Sequence, residues 1–377
     1  MKFSLDRDRL ARVLKRVDGV CPIRGSFQIL SCCMIEAKGK TIRVTGTDYD
    51  NTLRVTEEAD IIEEGTVLIN SQRLLSTVQN LVKDAEVTVA SEGSMILIKC
   101  GNFAARIPAN DLSEYPGVPE WEVKPTLAMN AVEFRKLIDK TIFSISADDT
   151  RAEFTGAFMT ITESGRIQMV STDGHRLSRA ESTVNINGVL PSPFVSGVVI
   201  HKKGLTELQK NINELQKNID CADVYFDVDD SKFGVRLGDN TFYISLINGS
   251  FPDFSKVIPQ NLEHRAILNR EAFQQIVRRA SIFTAKTGTI RVALTLNRLE
   301  ITSDDQKTTS SMKDYMDVDY AEGVFVEAGF NWRYIDQILS VIDCDDVSLE
   351  ILDSDSPAVI RDVSSDKVDF IIMPMQL

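Results

Sequence analysis

Residues 3–17 read FSLDRDRLARVLKRV, a stretch that joins the end of a strand to an amphipathic helix. Leu10, Val13 and Leu14 have the i, i+3, i+4 spacing that places side chains on one face of a helix. Asp6 precedes them at the position where an aspartate caps the free backbone N–H groups of a helix. The stretch therefore predicts a strand, a capped turn and a helix with one buried face.

The same pattern occurs twice more along the chain. The second copy, LAMNAVEFRKLIDKT, begins at Leu127, and the third, AILNREAFQQIVRRA, begins at Ala266. Asn130 and Asn269 take the position of Asp6, and asparagine is an equally good N-cap. A whole structural unit repeated at a long interval indicates a chain built from copies of one domain.

Two further elements repeat in the same order. A second helix pattern begins at Ser71, His201 and Asn331, which are spaced by 130 residues, and a strand is keyed on Phe103, Phe242 and Phe370. Alternating runs such as TIRVTGT, RIQMVSTD and RLEITSDD read as strands that end in turn residues. No copy carries a Rossmann or P-loop glycine pattern.

These repeats predict an α+β fold of three domains, each with two helices packed on antiparallel sheets. We place the domains at residues 1–122, 123–258 and 259–377. Surfaces that repeat head to tail commonly close into a ring, so the repeat also favours a symmetric or pseudo-symmetric assembly.

Composition narrows the class of protein. With 43% hydrophobic and 26% charged residues, the chain of 377 residues is typical of globular proteins. The N-terminus MKFSLDRDRL has no apolar core of a signal peptide, and no apolar run reaches the roughly 20 residues that span a bilayer. We therefore expect a cytoplasmic protein. Reduced, scattered cysteines and no metal site are expected, because CxxC pairs are absent and only three histidines are present.

Charge is distributed unevenly. The formal net charge is -13, which by itself argues against a nucleic-acid-binding protein. The first helix of the three copies nevertheless carries 11 basic and 5 acidic residues in total. Two interpretations remain open: a basic face that touches phosphates on an acidic body, or ordinary solvated helix faces.

The stretch STDGHRLSRAE at residues 171–181 has the composition of a catalytic turn. Asp173 and His175 suggest a hydrolase or transferase, but no partnered nucleophile is evident for a triad. His175 also has no counterpart in the other two copies. A hydrogen-bonded turn histidine is the simpler interpretation, and a scaffold that binds proteins but not DNA is a third hypothesis.

Four segments carry a family resemblance. They are STDGHRLSRAE, NGSFPDFSKVIP, FNWRYIDQIL and FIIMPMQL, at residues 171–181, 248–259, 330–339 and 370–377. Together with the threefold repeat, they closely resemble the beta subunit of bacterial DNA polymerase III, the beta sliding clamp family. The resemblance runs over the whole chain and implies a non-enzymatic processivity factor without a cofactor. It also implies a head-to-tail homodimeric ring around duplex DNA, which is not read in sequence.

In that family the TDGHRL turn belongs to a pocket for short peptides of the replicative polymerase, the clamp loader and repair proteins. Carried over to this sequence, the resemblance implies a pocket of Thr172, Gly174, His175, Arg176, Leu177, Pro252, Val257, Asn331, Tyr334, Ile371, Met373, Pro374 and Met375. Methionine and proline supply an adaptable apolar floor, which suits such a role.

The DNA-facing residues are a separate expectation. Arg24 matches a DNA-contacting position of the family, and Arg73, Lys202 and Lys203 are basic residues in the first turns of second helices. On the first helix, Arg9, Arg12 and Arg16 lie opposite the apolar stripe. Contact through phosphates predicts binding that is independent of sequence and strongly dependent on salt.

The chain departs from the family pattern in four places. GSFQILSCC follows Arg24 in place of a proline-bearing turn, and Phe154 stands in a segment that differs at one end of the pocket. Gln376 replaces a common basic residue of the tail. Ala104 and Ala105 lie on a strand expected at the protomer interface, which bears on the strength of the dimer.

Overall fold

The computed structural model describes residues 1–22, 27–118, 122–148, 150–216, 223–259, 264–305, 307–320 and 323–376. These residues form two compact units. The first contains Met1–Val132, Asn185–Pro193 and Lys203–Leu246, and the second contains Glu133–Val184, Phe194–Lys202 and Ile247–Leu377. The middle repeat therefore contributes to both units.

The predicted pairs of helices are present in all three repeats, with one short additional helix, α4. The helices are α1 (Arg7–Asp18), α2 (Ser71–Gln79), α3 (Ala131–Thr141), α4 (Ser192–Ser196), α5 (Lys202–Gln216), α6 (Arg270–Ser281) and α7 (Trp332–Leu339). Across the described residues, no helix combines the length and apolar character needed to cross a membrane.

The predicted N-caps are confirmed. The carboxylate of Asp6 accepts hydrogen bonds from the backbone N–H groups of Asp8 and Arg9. Asn269 accepts one from Ala272 in the same way. Asn130 accepts one from Val132 at 2.9 Å. Each cap satisfies backbone donors that the first turn of a helix leaves without a partner.

The first unit is built on one antiparallel sheet of 14 strands. Its order is β14-β10-β16-β17-β18-β4-β3-β2-β6-β9-β8-β7-β1-β5. The strands are β1 (Lys2–Asp6), β2 (Cys32–Lys38), β3 (Thr41–Thr47), β4 (Asn51–Glu58), β5 (Asp60–Glu63), β6 (Gly65–Asn70), β7 (Glu86–Glu92), β8 (Met95–Cys100), β9 (Phe103–Asn110), β10 (Leu127–Asn130), β14 (Asn185–Ile186), β16 (Asp223–Val228), β17 (Lys232–Leu237) and β18 (Asn240–Ser245).

The second unit contains two antiparallel sheets, ordered β15-β11-β12-β13-β26-β25-β24-β19 and β22-β21-β20-β23. The strands are β11 (Gly156–Ile161), β12 (Arg166–Thr172), β13 (Arg176–Thr183), β15 (Val198–His201), β19 (His264–Asn269), β20 (Thr289–Thr295), β21 (Arg298–Asp305), β22 (Ser310–Asp317), β23 (Val326–Asn331), β24 (Asp346–Ile351), β25 (Ala358–Asp362) and β26 (Val368–Ile372).

Strands of the middle repeat extend the sheets of both neighbours. In the first unit, β18 pairs with β4 of the first repeat, for example Phe242 opposite Leu53. In the second unit, β13 pairs with β26 of the third repeat. Edge strands of adjacent repeats thus cover each other, which removes unpaired backbone groups from the ends of these sheets.

The apolar stripe predicted for α1 forms its buried face. Leu10, Val13, Leu14 and Val17 are all buried. The helix lies very close to β3, because a Cβ atom added at Gly46 would come within 2.7 Å of Val17 Cγ1. Only glycine fits at this position without moving the helix away from the sheet.

Three thiols lie in the core beside α1. Cys21, Cys32 and Cys33 are free and buried, and Cys21 Sγ donates to the Cys32 carbonyl oxygen at 3.6 Å. Burial raises the pKa of Cys21 to about 12, and burial likewise raises the pKa of Cys33 well above its ordinary value. The native state therefore holds these thiols protonated and unreactive.

We predict that the free energy of unfolding falls as the pH rises above 9, where an unperturbed thiol ionises in the unfolded chain but Cys21 stays protonated in the native one. Between pH 8 and pH 10 the contribution of Cys21 to this loss is on the order of 1 kcal/mol. Urea denaturation of the wild type and of Cys21→Ala measures it. Equal losses in the two proteins would contradict the prediction.

Candidate functional site

The pairing of β13 with β26 brings the 171–181 stretch to the tail. Arg176 lies opposite Ile372, and Leu177 lies opposite Ile371. The pairing continues past the strand ends, because the backbone N–H of Met373 donates to the His175 carbonyl at 2.9 Å. Two segments almost 200 residues apart in the sequence are therefore joined by continuous backbone hydrogen bonds.

The turn before β13 is fixed by its own polar groups. Thr172 Oγ1 donates to the Arg176 carbonyl at 2.6 Å and accepts from Gly174 N–H at 3.0 Å. Asp173 Oδ1 accepts from the backbone N–H groups of His175 and Arg176. Gly174 has φ 85°, a conformation that glycine adopts without strain. The Asp173 carboxylate thus stabilises the turn by accepting these backbone hydrogen bonds.

Arg176 is the best-connected residue of the site, and its side chain is only 8% exposed. Its Nε donates to Asp173 Oδ2 at 3.0 Å, and Nη2 donates to the Phe143 carbonyl at 2.5 Å. Its Nη1 donates to Gln337 Oε1 on α7. The guanidinium also lies over the ring of Tyr334, 4.3 Å from its centre. Arg176 therefore ties the turn to α7 and has few donors left for a ligand.

Beneath the turn lies an apolar floor. Val170, Leu177, Val359 and Ile371 form a buried cluster against which Phe158, Phe251, Phe254 and Ile258 pack. The rings of Phe158 and Phe251 are stacked with centres 5.2 Å apart. Phe154 is 9% exposed and meets the edge of Phe251 at 6.2 Å, so this departure from the family pattern joins the aromatic side of the floor.

The rim of the floor is open to solvent. Val257 is 40% exposed and Met373 is 36% exposed, and Pro252 is exposed on the same connector as Val257. Met375 turns toward β23, where its N–H donates to the Gly329 carbonyl at 2.8 Å, and Pro374 between them is half-buried. Exposed apolar side chains around a packed aromatic floor suit a peptide with an apolar anchor.

Two predicted pocket residues make contacts that stabilise the structure. The Asn331 side chain caps α7 by accepting from Arg333 N–H at 3.0 Å. Tyr334 packs against Arg176, and burial raises the pKa of its phenol. His175 is exposed at the rim. In the part of the chain that the structure describes, no group of three histidine, cysteine or acidic side chains could hold a metal ion.

The residues predicted to face DNA outside α1 differ in their surroundings. Arg24 lies outside the described residues. Arg73 is exposed in the first turn of α2, and Lys203 is exposed but pairs with Asp48. Lys202 donates from Nζ to the Ile145 carbonyl at 2.9 Å, and burial lowers the pKa of this lysine.

The arginines of α1 also differ from one another. Arg12 is exposed. Arg9 donates to Glu57 at 2.8 Å, and Arg16 donates to Asn211 Oδ1 at 2.8 Å. Burial lowers the pKa of Arg16 to about 10. The helical pattern identified the side of α1 that carries these residues, whereas the acceptors come from distant segments that no local pattern reveals.

Models of one protein family match nearly the whole chain. The N-terminal, central and C-terminal domains of the DNA polymerase III beta subunit match residues 1–119, 128–253 and 255–376. The chain belongs to this family. Its three repeats are therefore the three clamp-type domains, and the members of the family are sliding clamps, non-catalytic subunits of DNA polymerase III. The hypothesis of a hydrolase or transferase built on Asp173 and His175 is wrong.

Curated relatives and solved structures align with this chain over their full length. The beta sliding clamp of Haemophilus influenzae is 29% identical and that of Vibrio cholerae 27% identical, each with 100% of both chains covered. Among solved structures, the Pseudomonas aeruginosa sliding clamp bound to griselimycin has a TM-score of 0.92 at 26% identity, again with 100% of both chains covered.

We predict that Arg176→Lys destabilises the protein, because lysine cannot reproduce the planar set of contacts to Asp173, Gln337 and Phe143. The expected loss is roughly 2–3 kcal/mol in the free energy of unfolding, measured by urea denaturation. His175→Ala, an adjacent change at an exposed position, is the control and should cost under about 0.5 kcal/mol. A loss no larger for Arg176→Lys than for the control would refute this role.

Proposed function

We propose that this protein is a DNA sliding clamp that encircles duplex DNA as a homodimer and tethers the replicative polymerase in the cytoplasm. The match of three consecutive clamp domains to the whole chain carries the proposal. The clamp loader and repair proteins would use the same tether, because one exposed peptide pocket can serve several partners in turn.

The proposed tether is the pocket implied by the family resemblance, here called the tail pocket. It comprises residues of the 172–177 turn, Pro252 and Val257 of the connector, Asn331 and Tyr334 at α7, and the tail from Ile371 to Met375. Three features support it: the shared backbone of β13 and β26, the aromatic floor and the exposed methionine at the rim. A leucine or phenylalanine anchor of a partner peptide would supply most of the binding energy by burying apolar surface on this floor.

Removal of Met373–Leu377 should abolish most peptide binding, because the truncation takes away the methionine side of the tail pocket. We expect at least a tenfold rise in Kd, which corresponds to about 1.4 kcal/mol, in fluorescence anisotropy with a labelled peptide bearing a C-terminal Leu-Phe pair. Folding should persist, since β26 ends at Ile372. Undiminished peptide binding by the truncated protein would remove the tail from the proposed site.

Duplex DNA would be held loosely through phosphates. Arg12 and Arg73 are exposed and suit this role, whereas Arg9, Arg16, Lys202 and Lys203 already have acceptors within the protein. Each of these four side chains would have to break its internal contact before it could bind a phosphate. We therefore propose Arg12 and Arg73 as the principal contacts among the described residues.

Retention on DNA tests the whole proposal. Loaded by a bacterial clamp loader, the protein should stay on circular DNA and leave it after linearisation. Arg12→Ala/Arg73→Ala should bind DNA with a salt slope smaller by about 2, while Lys38→Ala/Lys40→Ala on the exposed β2–β3 hairpin serves as the charge-matched control. A protein that is never retained on circular DNA would favour the scaffold hypothesis.

The proposed ring closes through strand edges. In the described residues, β9 pairs with β8 along Phe103–Pro108 and with β6 only at Ala109 and Asn110, and β22 ends its sheet. Phe103 is 42% exposed on the first of these edges. Head-to-tail pairing of β9 with β22 of a second copy would cover both edges and give six domains around the circle.

A further inference from the structure

Two aromatic side chains of the first unit are exposed to solvent. Phe27 is 61% exposed and Tyr49 is 50% exposed. Their rings meet edge to face, with an interplanar angle of 82° and centres 6.0 Å apart. Aromatic rings of this size are normally buried to a large extent, so an exposed pair in mutual contact points to a ligand with a flat apolar face.

The backbone holds Tyr49 in an unfavourable conformation. Its φ is 78°, in the left-handed region that bulky side chains avoid. The turn is fixed on both sides: Thr47 Oγ1 accepts from Tyr49 N–H at 3.2 Å, and Asp48 Oδ1 accepts from Asn51 N–H at 2.7 Å. The ring is thus presented by a rigid turn at a conformational cost that glycine would avoid.

Phe27 is anchored independently of Tyr49. Its carbonyl accepts from Leu30 N–H at 3.2 Å, which starts the single-turn helix Gln28–Ser31. Ser31 Oγ in turn accepts from Asn70, the N-cap of α2, at 3.1 Å. Each ring is therefore attached to a fixed segment, and little ordering is needed when a ligand binds.

The charges around the pair suit a nucleic-acid strand that contacts the rings with its bases. Arg73 is exposed in the helix that Asn70 caps, and Lys203 pairs with Asp48 beside Tyr49. Asp50 is exposed on the other side of Tyr49 and disfavours a phosphate directly at the rings. Because Asp48 already occupies Lys203, a backbone held near Arg73 with a base turned toward the aromatic pair satisfies both conditions.

We propose that Phe27 and Tyr49 form a stacking platform for an unpaired base of single-stranded DNA next to the duplex. The proposal rests on the clamp function proposed above. Duplex bases have their faces covered by neighbours, whereas bases beyond a primer end expose a face that stacks on aromatic rings regardless of sequence. The platform would favour DNA with a single-stranded overhang over blunt duplex.

The test compares two DNAs by fluorescence anisotropy with the full-length protein: a duplex with a single-stranded overhang that carries a fluorescent adenine analogue, and the same duplex without the overhang. Phe27→Ala/Tyr49→Gly should bind the overhang DNA about tenfold more weakly and lose the quenching of the analogue, with blunt-duplex affinity unchanged. Phe325→Ala, which removes a phenylalanine that is 63% exposed in the second unit, is the matched control and should change neither.

Folding is checked in the same samples. Tyr49→Gly should melt no lower than the wild type, because glycine adopts φ 78° freely. Tyr49→Asn provides a second variant, since asparagine also tolerates this region. Losses that are equal for both DNAs, or no loss for either, would overturn the platform. If Phe27→Ala/Tyr49→Gly loses peptide binding at the tail pocket but keeps its affinity for both DNAs, the stacking platform is overturned in favour of a site for a protein partner.

A wild-type protein that binds neither DNA would overturn the platform, and retention on circular DNA after loading then decides the proposed clamp function separately. A protein that binds blunt duplex and overhang DNA equally, with no effect of the substitutions, would overturn the platform alone. The failure of the platform and the failure of the clamp function are therefore distinguishable.

Discussion

The antiparallel pairing of β13 with β26 is the contact on which the tail pocket depends. It places Leu177 opposite Ile371 and continues into the bond between Met373 and His175. A slip of one residue would turn Leu177 to the opposite face of the sheet and destroy the floor. The pocket is thus a consequence of strand register, and the turn and the tail cannot form it separately.

A chain of ion pairs supports that register across neighbouring strands. Arg179 on β13 pairs with Asp369 on β26 at 3.3 Å, and Arg361 on β25 pairs with the same carboxylate at 2.6 Å. Arg361 also pairs with Glu350 on β24. Asp369 and Glu350 have side chains only 7% and 8% exposed, so a shifted strand would leave buried carboxylates without partners. Such a penalty favours one register over its alternatives.

The local sequence pattern predicted the helices well, because an apolar stripe and an N-cap both depend on residues within one short segment. Leu10, Val13 and Leu14 are buried and Asp6 is the cap, as their spacing indicates. The same kind of pattern could not reveal that Glu57 and Asn211 hold Arg9 and Arg16, since those partners lie far away in the sequence. It also could not show that Arg176 is a buried support, because the family resemblance implied only a pocket residue and its partner Gln337 lies far away in the sequence. Tyr49 was missed for a related reason: its conformation is set by the turn around it.

The proposed function requires two copies of this chain to close into a ring, because a single chain of three domains cannot surround DNA. The strands proposed for closure, β9 and β22, each have eight residues, and Ala104 and Ala105 contribute little side-chain surface to the first. Multi-angle light scattering at low micromolar concentration measures the outcome most directly. A ring of two copies gives a single species of twice the 42.1 kDa chain mass, and a species of one chain mass alone would rule the ring out.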